Sequence, residues 1–180
     1  LAGAEALFPT ESYKNLFAKA KEYNVPFTIH AGEAGDAEDV KTAIRMGASR
    51  IGHGVRIAGN EEVIQLVKNS GIFLEMCPTS NRQTRAVEDM FSYPLKNFLE
   101  QGLKVTLNTD DPAIERTTLS REFRYMESLL NLTQEQKRLL LLNSVEAAFT
   151  SRNRKCKLKE QLFSEPYENY GEPIIYKRIK

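Results

Sequence analysis

Cysteine and histidine are both scarce in these 180 residues, and the acidic and basic side chains almost balance. The two cysteines, Cys77 and Cys156, have no Cys-x-x-Cys spacing and give no disulfide framework, which favours the reducing cytoplasm. A net charge of +1 leaves no basic surface of the kind that nucleic acid or an anionic membrane attracts. No apolar run approaches the roughly 20 residues of a membrane-spanning helix. The remaining composition, 41% hydrophobic and 27% charged, is typical of a soluble globular domain.

Four short apolar segments are present, and each ends at a residue that can take part in catalysis. They are Val25–Ile29 before His30, Ser49–Gly52 before His53, Gly71–Met76 before Cys77 and Leu103–Thr109 before Asp110. Short β-branched segments of this kind predict strands, and the segments between them have the spacing of helices. Strands joined through helices pair in parallel, so their carboxyl ends share one edge of the sheet. The alternation predicts an α/β fold of the (β/α) barrel type, with the active site at that edge.

Helix starts are predicted at residues whose side chains can accept a hydrogen bond from the first turn. These are Thr10, Asp36, Asn60 and Thr133, the last with Gln136 at the capping-box spacing. The spacing also predicts two buried helix faces. The first is Tyr13, Leu16, Phe17 and Ala20, and the second is Val63, Leu66 and Val67.

Asp110 and Asp111 form an adjacent acidic pair at the end of the fourth predicted strand. Inside a strand their side chains would point to opposite faces, but at a twisting strand end before Pro112 both can reach one cavity. Two carboxylates that close repel each other unless a cation lies beside them. A bound metal ion is the simplest explanation. Each strand-end residue, taken singly, is also compatible with an ordinary turn, and Cys77 with a small buried thiol.

Five segments together resemble, in order, the successive signatures of the adenosine deaminase family, which belongs to the metal-dependent amidohydrolase barrels. The segments are Leu1-Ala2-Gly3-Ala4-Glu5, His30-Ala31-Gly32-Glu33, Arg50-Ile51-Gly52-His53-Gly54, Cys77-Pro78-Thr79-Ser80-Asn81 and Asn108-Thr109-Asp110-Asp111-Pro112. One tetrapeptide would be a weak match, but five in sequence over about residues 1 to 150 are specific.

The resemblance implies a role for six residues of this chain. According to the resemblance, His30 and Asp110 are ligands of a Zn²⁺ ion. Glu33 gives a proton to N1 of the purine, and His53 is the base that orients the attacking water. Asp111 bonds the purine N7, and the Gly3 amide faces N3. The chemistry agrees with these roles, since zinc lowers the pKa of a bound water toward about 7. Glu33 can deliver a proton only if it stays protonated, so we expect it in a desolvated pocket.

The resemblance also implies that the chain is the C-terminal half of a (β/α)8 TIM barrel. Family barrels carry a His-x-His pair after the first strand, and this chain has two histidines in total. A complete barrel needs about 250 residues. We therefore expect residues 1–163 to cover the end of strand four through strand eight and the C-terminal helices, and residues 164–180 to form an irregular tail. The missing N-terminal half is the expected partner and supplies further zinc ligands.

The activity expected from the resemblance is hydrolytic deamination of adenosine or deoxyadenosine, releasing ammonia and, from adenosine, inosine, in purine salvage in the cytoplasm. Gly52 before His53 resembles the nucleoside enzymes, whereas adenine deaminases tend to carry Asp there. Adenine or AMP deamination stays open, as does a non-catalytic, deaminase-like fragment. The zinc deaminases that modify bases in nucleic acids fit poorly, because their His-x-Glu and Pro-Cys-x-x-Cys signature is absent.

Overall fold

The computed structural model describes residues 1–3, 5 and 7–164, and within them the chain forms four strands and nine α-helices. The strands are β1 Thr28–Ala31, β2 Arg50–His53, β3 Phe73–Met76 and β4 Lys104–Leu107. The helices are α1 Lys14–Glu22, α2 Ala37–Met46, α3 Glu61–Ser70, α4 Pro78–Gln83, α5 Leu95–Glu100, α6 Pro112–Glu115, α7 Leu119–Leu130, α8 Gln134–Ala147 and α9 Arg152–Ser164. Short 3-10 helices lie at Thr10–Tyr13, Val55–Ile57 and Met90–Ser92.

The four strands form one parallel sheet in the order β1-β2-β3-β4. Its register sets Ile29 beside Ile51, and Leu74 beside Val105. Each strand is connected to the next through at least one helix, which confirms the predicted alternation. The carboxyl ends of all four strands consequently lie at one edge of the sheet.

Two strands begin later than the sequence pattern indicates, for local reasons. The N–H of Val25 donates to the carbonyl of Ala20 at 2.9 Å, so Val25 belongs to the end of α1 and not to β1. Gly71 ends α3 in the left-handed conformation, with φ of 67°. A residue with a Cβ takes that conformation at a cost, so glycine suits the turn that delays β3.

Three of the predicted helix caps are confirmed. The side chains of Asp36, Asn60 and Thr133 each accept a hydrogen bond from the first turn of α2, α3 and α8. Thr133 and Gln136 form the predicted capping box, with bonds of 3.0 and 3.2 Å between them. These caps satisfy backbone donors that the helix itself leaves free.

The predicted Thr10 cap and parts of both helix faces are wrong. Thr10 is buried inside the 3-10 helix Thr10–Tyr13, and its side chain caps nothing because α1 begins only at Lys14. Phe17 is the buried residue of α1, whereas Leu16 is 58% exposed. In α3 the buried residues are Val63, Ile64 and Val67, which leaves Leu66 on the exposed side. In each helix the set of buried residues therefore differs from the set that the spacing of apolar residues predicts.

The two faces of the sheet differ in polarity. Ile29, Ile51, Leu74 and Val105 are fully buried on the face that packs against the helices. The other face, by the alternation of β-strands, carries Thr28, His30 and Glu75. There the Thr28 hydroxyl donates to Glu75 at 2.6 Å, and Arg50 forms an ion pair with Glu75 at 3.0 Å. His30 therefore lies on the polar face, at the edge where the strands end.

Leu1 lies beside the outer edge of β1. Its terminal nitrogen donates to the carbonyl of Thr28 at 3.0 Å, and its carbonyl accepts from the N–H of His30 at 2.9 Å. One residue bonded to positions two apart on its neighbour is the pattern of a parallel ladder. The first residues thus continue the hydrogen bonding of the sheet past β1.

The C-terminal helix α9 ends at Ser164, which is the first residue of the predicted irregular tail. The remainder of that prediction, residues 165–180, lies outside the described residues. In the part of the chain that the structure describes, no helix combines the length and the apolar character needed to cross a bilayer.

Candidate active site

Three residues with metal-binding side chains meet at the carboxyl edge of the sheet. His30 lies in β1, His53 ends β2, and Asp110 follows β4. One ligand atom of each lies within 4.8 Å of the others. The sheet thus brings together residues that are 80 positions apart in the sequence, as the strand-end pattern predicts.

Two of these residues have an unusual backbone conformation. His53 and Asp110 adopt φ values of 64° and 62°, in the left-handed region that residues with a Cβ rarely take. Such conformations cost about 1–3 kcal/mol and persist where the surroundings fix them, often at functional sites. Here the turn follows the last residues of each strand and directs both side chains to the same place.

His53 is held by hydrogen bonds on both ring nitrogens. Its side chain is 1% exposed, and its Nδ1 lies 3.0 Å from the amide nitrogen of Asn81. Its Nε2 lies 3.2 Å from Nδ1 of His30 and 3.3 Å from a carboxylate oxygen of Glu33. The hydroxyl of Tyr93 donates to the side-chain oxygen of Asn81 at 2.8 Å, which fixes the amide in turn. Burial lowers the pKa of His30 and of His53, which favours the neutral form of each ring, the form that binds metal or takes a proton.

Glu33 lies in the turn after β1, with its carboxyl group among polar side chains. Thr84 donates a hydrogen bond to it at 3.1 Å, and the amide of Asn81 lies 3.4 Å away. Burial raises the pKa of the Glu33 carboxyl above its ordinary value. This agrees with the desolvated pocket that the sequence predicts, and a carboxyl group in such a pocket holds its proton more readily.

The turn that carries Glu33 is fixed by Glu5, a buried carboxylate from the N-terminal segment. Glu5 accepts hydrogen bonds from four consecutive backbone N–H groups, those of residues 32 to 35, at 2.6 to 3.1 Å. Four donors around one carboxylate compensate for its burial. Glu5 therefore sets the path of the chain through Glu33.

The position of the His30 ring depends on the absence of a side chain at Gly52. A Cβ at this position would lie 2.4 Å from Cδ2 of His30 and 3.0 Å from its Cγ and Nε2. The His30 ring therefore packs directly over the backbone of Gly52, and its edge meets the His53 ring with 4.6 Å between centroids. Gly52 leaves room for the ring in the place where it faces Asp110.

The remaining predicted residues lie around this cluster. Ser80 donates to Asp110 at 2.8 Å, while Asp111 is exposed at the start of α6. Cys77 is buried, its thiol lies 3.4 Å from the carbonyl of Glu75, and burial raises its pKa. It is the small buried thiol that the sequence allows.

Two neighbouring cavities share His30. The first has a volume of about 460 Å³ and includes His53, Glu75, Cys77 and Asp110 in its lining. This is within the range of about 300–1,000 Å³ that is usual for small-molecule sites. The second, of about 180 Å³, is lined by the N-terminal segment, and Gly3 is among its residues. The structure thus places Gly3 next to the cluster and not in its main cavity.

Several residues of the site carry no role that the sequence predicts. Ser80 and Asn81 lie in one of the five family-like segments, and Glu5 lies in another. Their membership of these segments indicates that they lie near the site. Thr84 and Tyr93 carry no such signal, because they reach the site through the packing of α4 and of the 3-10 helix Met90–Ser92.

The donor set suits a divalent metal ion. Two imidazole nitrogens and one carboxylate oxygen are ligands that zinc accepts, and a catalytic zinc commonly has three protein ligands and an open position. Three side chains that could hold a divalent metal ion thus meet at the carboxyl edge of a parallel α/β sheet.

Comparison with known proteins identifies the family. The family model for adenosine deaminase matches residues 1–165, and the chain belongs to that family. It is 44% identical over 151 residues to the adenosine deaminase of Haemophilus ducreyi, covering 84% of this chain and 44% of that protein. It is 38% identical over 167 residues to the adenosine deaminase of Enterococcus faecalis, covering 93% and 49%. The chain therefore spans about half the length of the curated relatives it matches.

Solved structures agree on the fold. An adenine deaminase from Arthrobacter aurescens superposes with a TM-score of 0.87 at 30% identity, over 91% of this chain and 50% of that one. An amidohydrolase from Burkholderia ambifaria with bound zinc gives a TM-score of 0.79 at 23% identity, over the same shares. The chain thus has the parallel α/β fold of its family, and its structural neighbours are TIM-barrel deaminases.

Proposed function

We propose that this chain is the C-terminal half of a zinc-dependent adenosine deaminase, which hydrolyses adenosine or deoxyadenosine with release of ammonia. The observation that carries the proposal is the cluster of His30, His53 and Asp110, with a partly buried Glu33 against it. Deamination at an aromatic carbon needs a nucleophilic water and a proton for the ring, and this cluster contains candidates for both tasks.

In this proposal His30 and Asp110 hold the zinc ion. When bound, zinc supplies a water whose pKa is lowered toward about 7. His53 orients the attacking water and takes its proton, and Asn81 keeps its ring in position. Glu33 holds the proton for N1 of the purine, which the raised pKa of its carboxyl supports.

The substrate contacts follow the family pattern. Asp111 bonds N7 of the purine, and the backbone amide of Gly3 faces N3. Gly3 lines a cavity next to the cluster, whereas Asp111 is exposed at the start of α6 and reaches substrate from the rim. Both contacts lie at the carboxyl edge of the sheet, where such barrels bind their substrates.

The half-barrel assignment rests on length and on hydrogen bonding. The chain covers 44% to 49% of its adenosine deaminase relatives, and Leu1 bonds to β1 as a strand on its other side would. We assign β1 to β4 as strands five to eight and Leu1 as the end of strand four. An N-terminal half then completes the barrel and the zinc ligands, of which His30 and Asp110 supply two.

Adenosine is the proposed substrate because the relatives at 38% to 44% identity are adenosine deaminases. Adenine is the second candidate, since an adenine deaminase superposes over 91% of the chain. A nucleoside monophosphate is a third, because one neighbour, at 24% identity, is described as a complex with IMP. A role in purine salvage in the cytoplasm fits the two free cysteines, Cys77 and Cys156.

One experiment tests the proposal. The whole protein that carries this chain is purified without added metal, its zinc content is measured, and adenosine, adenine and AMP are compared at equal concentration. We expect one zinc per chain and fastest turnover of adenosine, and we expect His30→Ala to lose both metal and activity. Full activity in a metal-free sample would overturn the zinc mechanism. Zinc binding without turnover of any purine would support the non-catalytic alternative.

A further inference from the structure

Glu122 is a fully buried carboxylate that the proposed chemistry does not use. It lies in α7 and accepts three hydrogen bonds: from the backbone N–H of Thr79 at 3.1 Å, from the Thr79 hydroxyl and from the Thr117 hydroxyl. Among the described residues it has no salt bridge. A carboxylate buried among neutral partners is costly unless its hydrogen bonds are well made, so these three contacts hold their donors firmly.

The contact with Thr79 caps a helix from outside. Helix α4 begins at Pro78, and the preceding residue, Cys77, makes no side-chain cap bond. Pro78 has no N–H, so the N–H of Thr79 is the first backbone donor of the helix, and it points at Glu122. A negative charge at a helix N-terminus also interacts favourably with the helix dipole. Glu122 therefore fixes where α4 starts.

The next two residues of α4 contact the cluster. Ser80 donates to Asp110 at 2.8 Å, and Asn81 lies 3.0 Å from Nδ1 of His53. Both belong to the same short helical turn as Thr79, so a displacement of Thr79 displaces both contacts. The path from Glu122 to either cluster residue runs through one turn of helix.

The contact with Thr117 reaches the loop after β4. The N–H of Thr117 donates to the carbonyl of Pro112 at 3.1 Å, which closes the turn that contains α6. Pro112 directly follows Asp110 and Asp111. Glu122 thus joins the loop after β3 to the loop after β4, and these loops carry the two sides of the Ser80–Asp110 contact.

We propose that Glu122 is a positioning residue for the deaminase site, acting through Thr79 and Thr117 to set the two strand-end loops against each other. The proposal rests on the proposed function for its kinetic readout. Loss of the hydrogen bonds to Glu122 should lower kcat more than it changes KM. The reason is that the displaced residues, His53 and Asp110, act in the reaction more than in the binding of the purine.

The test compares matched substitutions in the whole protein. Thr117→Val removes the hydroxyl and keeps the shape, Thr117→Ser keeps the hydroxyl, and Glu122→Gln removes the charge. Glu127→Gln, on the same helix but paired with Lys137, is the control. The readouts are kcat and KM for adenosine, the midpoint of thermal unfolding, and amide hydrogen exchange in residues 79–83.

We expect Thr117→Val and Glu122→Gln to lower kcat by about ten-fold or more, since a shift of about 1 Å in a catalytic group can cost about 100-fold. We expect faster exchange in residues 79–83 in both variants, and we expect Thr117→Ser and Glu127→Gln to keep the wild-type kcat and the wild-type exchange in these residues. If Glu122→Gln does not fold, the two Thr117 variants decide the question.

A lower unfolding midpoint with unchanged kcat would overturn the positioning role, as would equal kcat in Thr117→Val and Thr117→Ser. If the wild-type protein turns over no adenosine, the proposed function fails. The exchange measurement then still tests whether Glu122 holds α4 and the loop after β4 in place, and unchanged exchange in residues 79–83 would overturn that role.

Discussion

The substitution Gly52→Ala tests whether the position of His30 depends on a missing Cβ. The new Cβ would lie 2.4 Å from Cδ2 of His30, whereas ordinary contacts lie at 3.4 to 4 Å, so the ring must move by about 1 Å. Overpacking of this kind costs about 1–3 kcal/mol. Disturbing the orientation of a metal ligand typically costs about 10- to 100-fold in metal affinity. We therefore expect zinc to bind about 10- to 100-fold more weakly.

The control is Gly59→Ala, which strains the backbone without placing a Cβ against another residue. A Cβ at Gly59 meets no atom within 4 Å, but its φ of 80° is left-handed, so alanine is strained there by about 1–2 kcal/mol. Both variants should lower the unfolding midpoint, and only Gly52→Ala should weaken zinc. The assay is competition with a chromophoric zinc chelator on the whole protein. A zinc Kd for Gly52→Ala equal to that of wild type would show that the position of His30 does not depend on Gly52.

Three further predictions concern the residues that hold the site in place and the behaviour of the isolated chain. Asn81→Ala should lower kcat for adenosine by about 10- to 100-fold, because the His53 ring loses its partner, and Tyr93→Phe should give a smaller loss in the same direction. Glu5→Ala should destabilise the protein by about 1–3 kcal/mol in denaturant unfolding, since it leaves backbone N–H groups at residues 32 to 35 without their acceptor. The isolated 180-residue chain should bind zinc weakly, deaminate no adenosine and self-associate, because two ligands and the strand partners are missing. An active monomer, shown by light scattering and mass spectrometry, would contradict the half-barrel assignment.

The sequence predicted the order of the sheet well, because each strand is a short apolar run that ends at a polar residue. It predicted strand starts less well, since Val25 is bonded into the end of α1 and Gly71 ends α3. The face of α1 was wrong at Leu16, which is exposed beside the buried Phe17. Local propensity does not determine which stripe of a helix the rest of the fold covers.

The cluster residues His30, His53 and Asp110 could be predicted because each lies at, or shortly after, the carboxyl end of a strand. Their supports could not, because Tyr93 and Glu122 reach the site only through tertiary packing. Tyr93 is 12 residues from Asn81, and Glu122 is 43 residues from Thr79. No spacing rule connects such pairs, so the sequence identifies the reacting groups more readily than the contacts that hold them.

The partly buried Glu33 is the residue that we propose delivers a proton to the purine ring in a zinc-dependent deamination. The substitution Glu33→Gln tests this role, since glutamine keeps the size of the side chain and a hydrogen-bond acceptor but has no acidic proton to transfer. The measurement is kcat for conversion of adenosine to inosine by the whole protein, with zinc content determined on the same sample and Glu22→Gln as an exposed control. We expect kcat to fall by at least about 100-fold while the protein retains its zinc. Turnover by Glu33→Gln at the wild-type rate would contradict it.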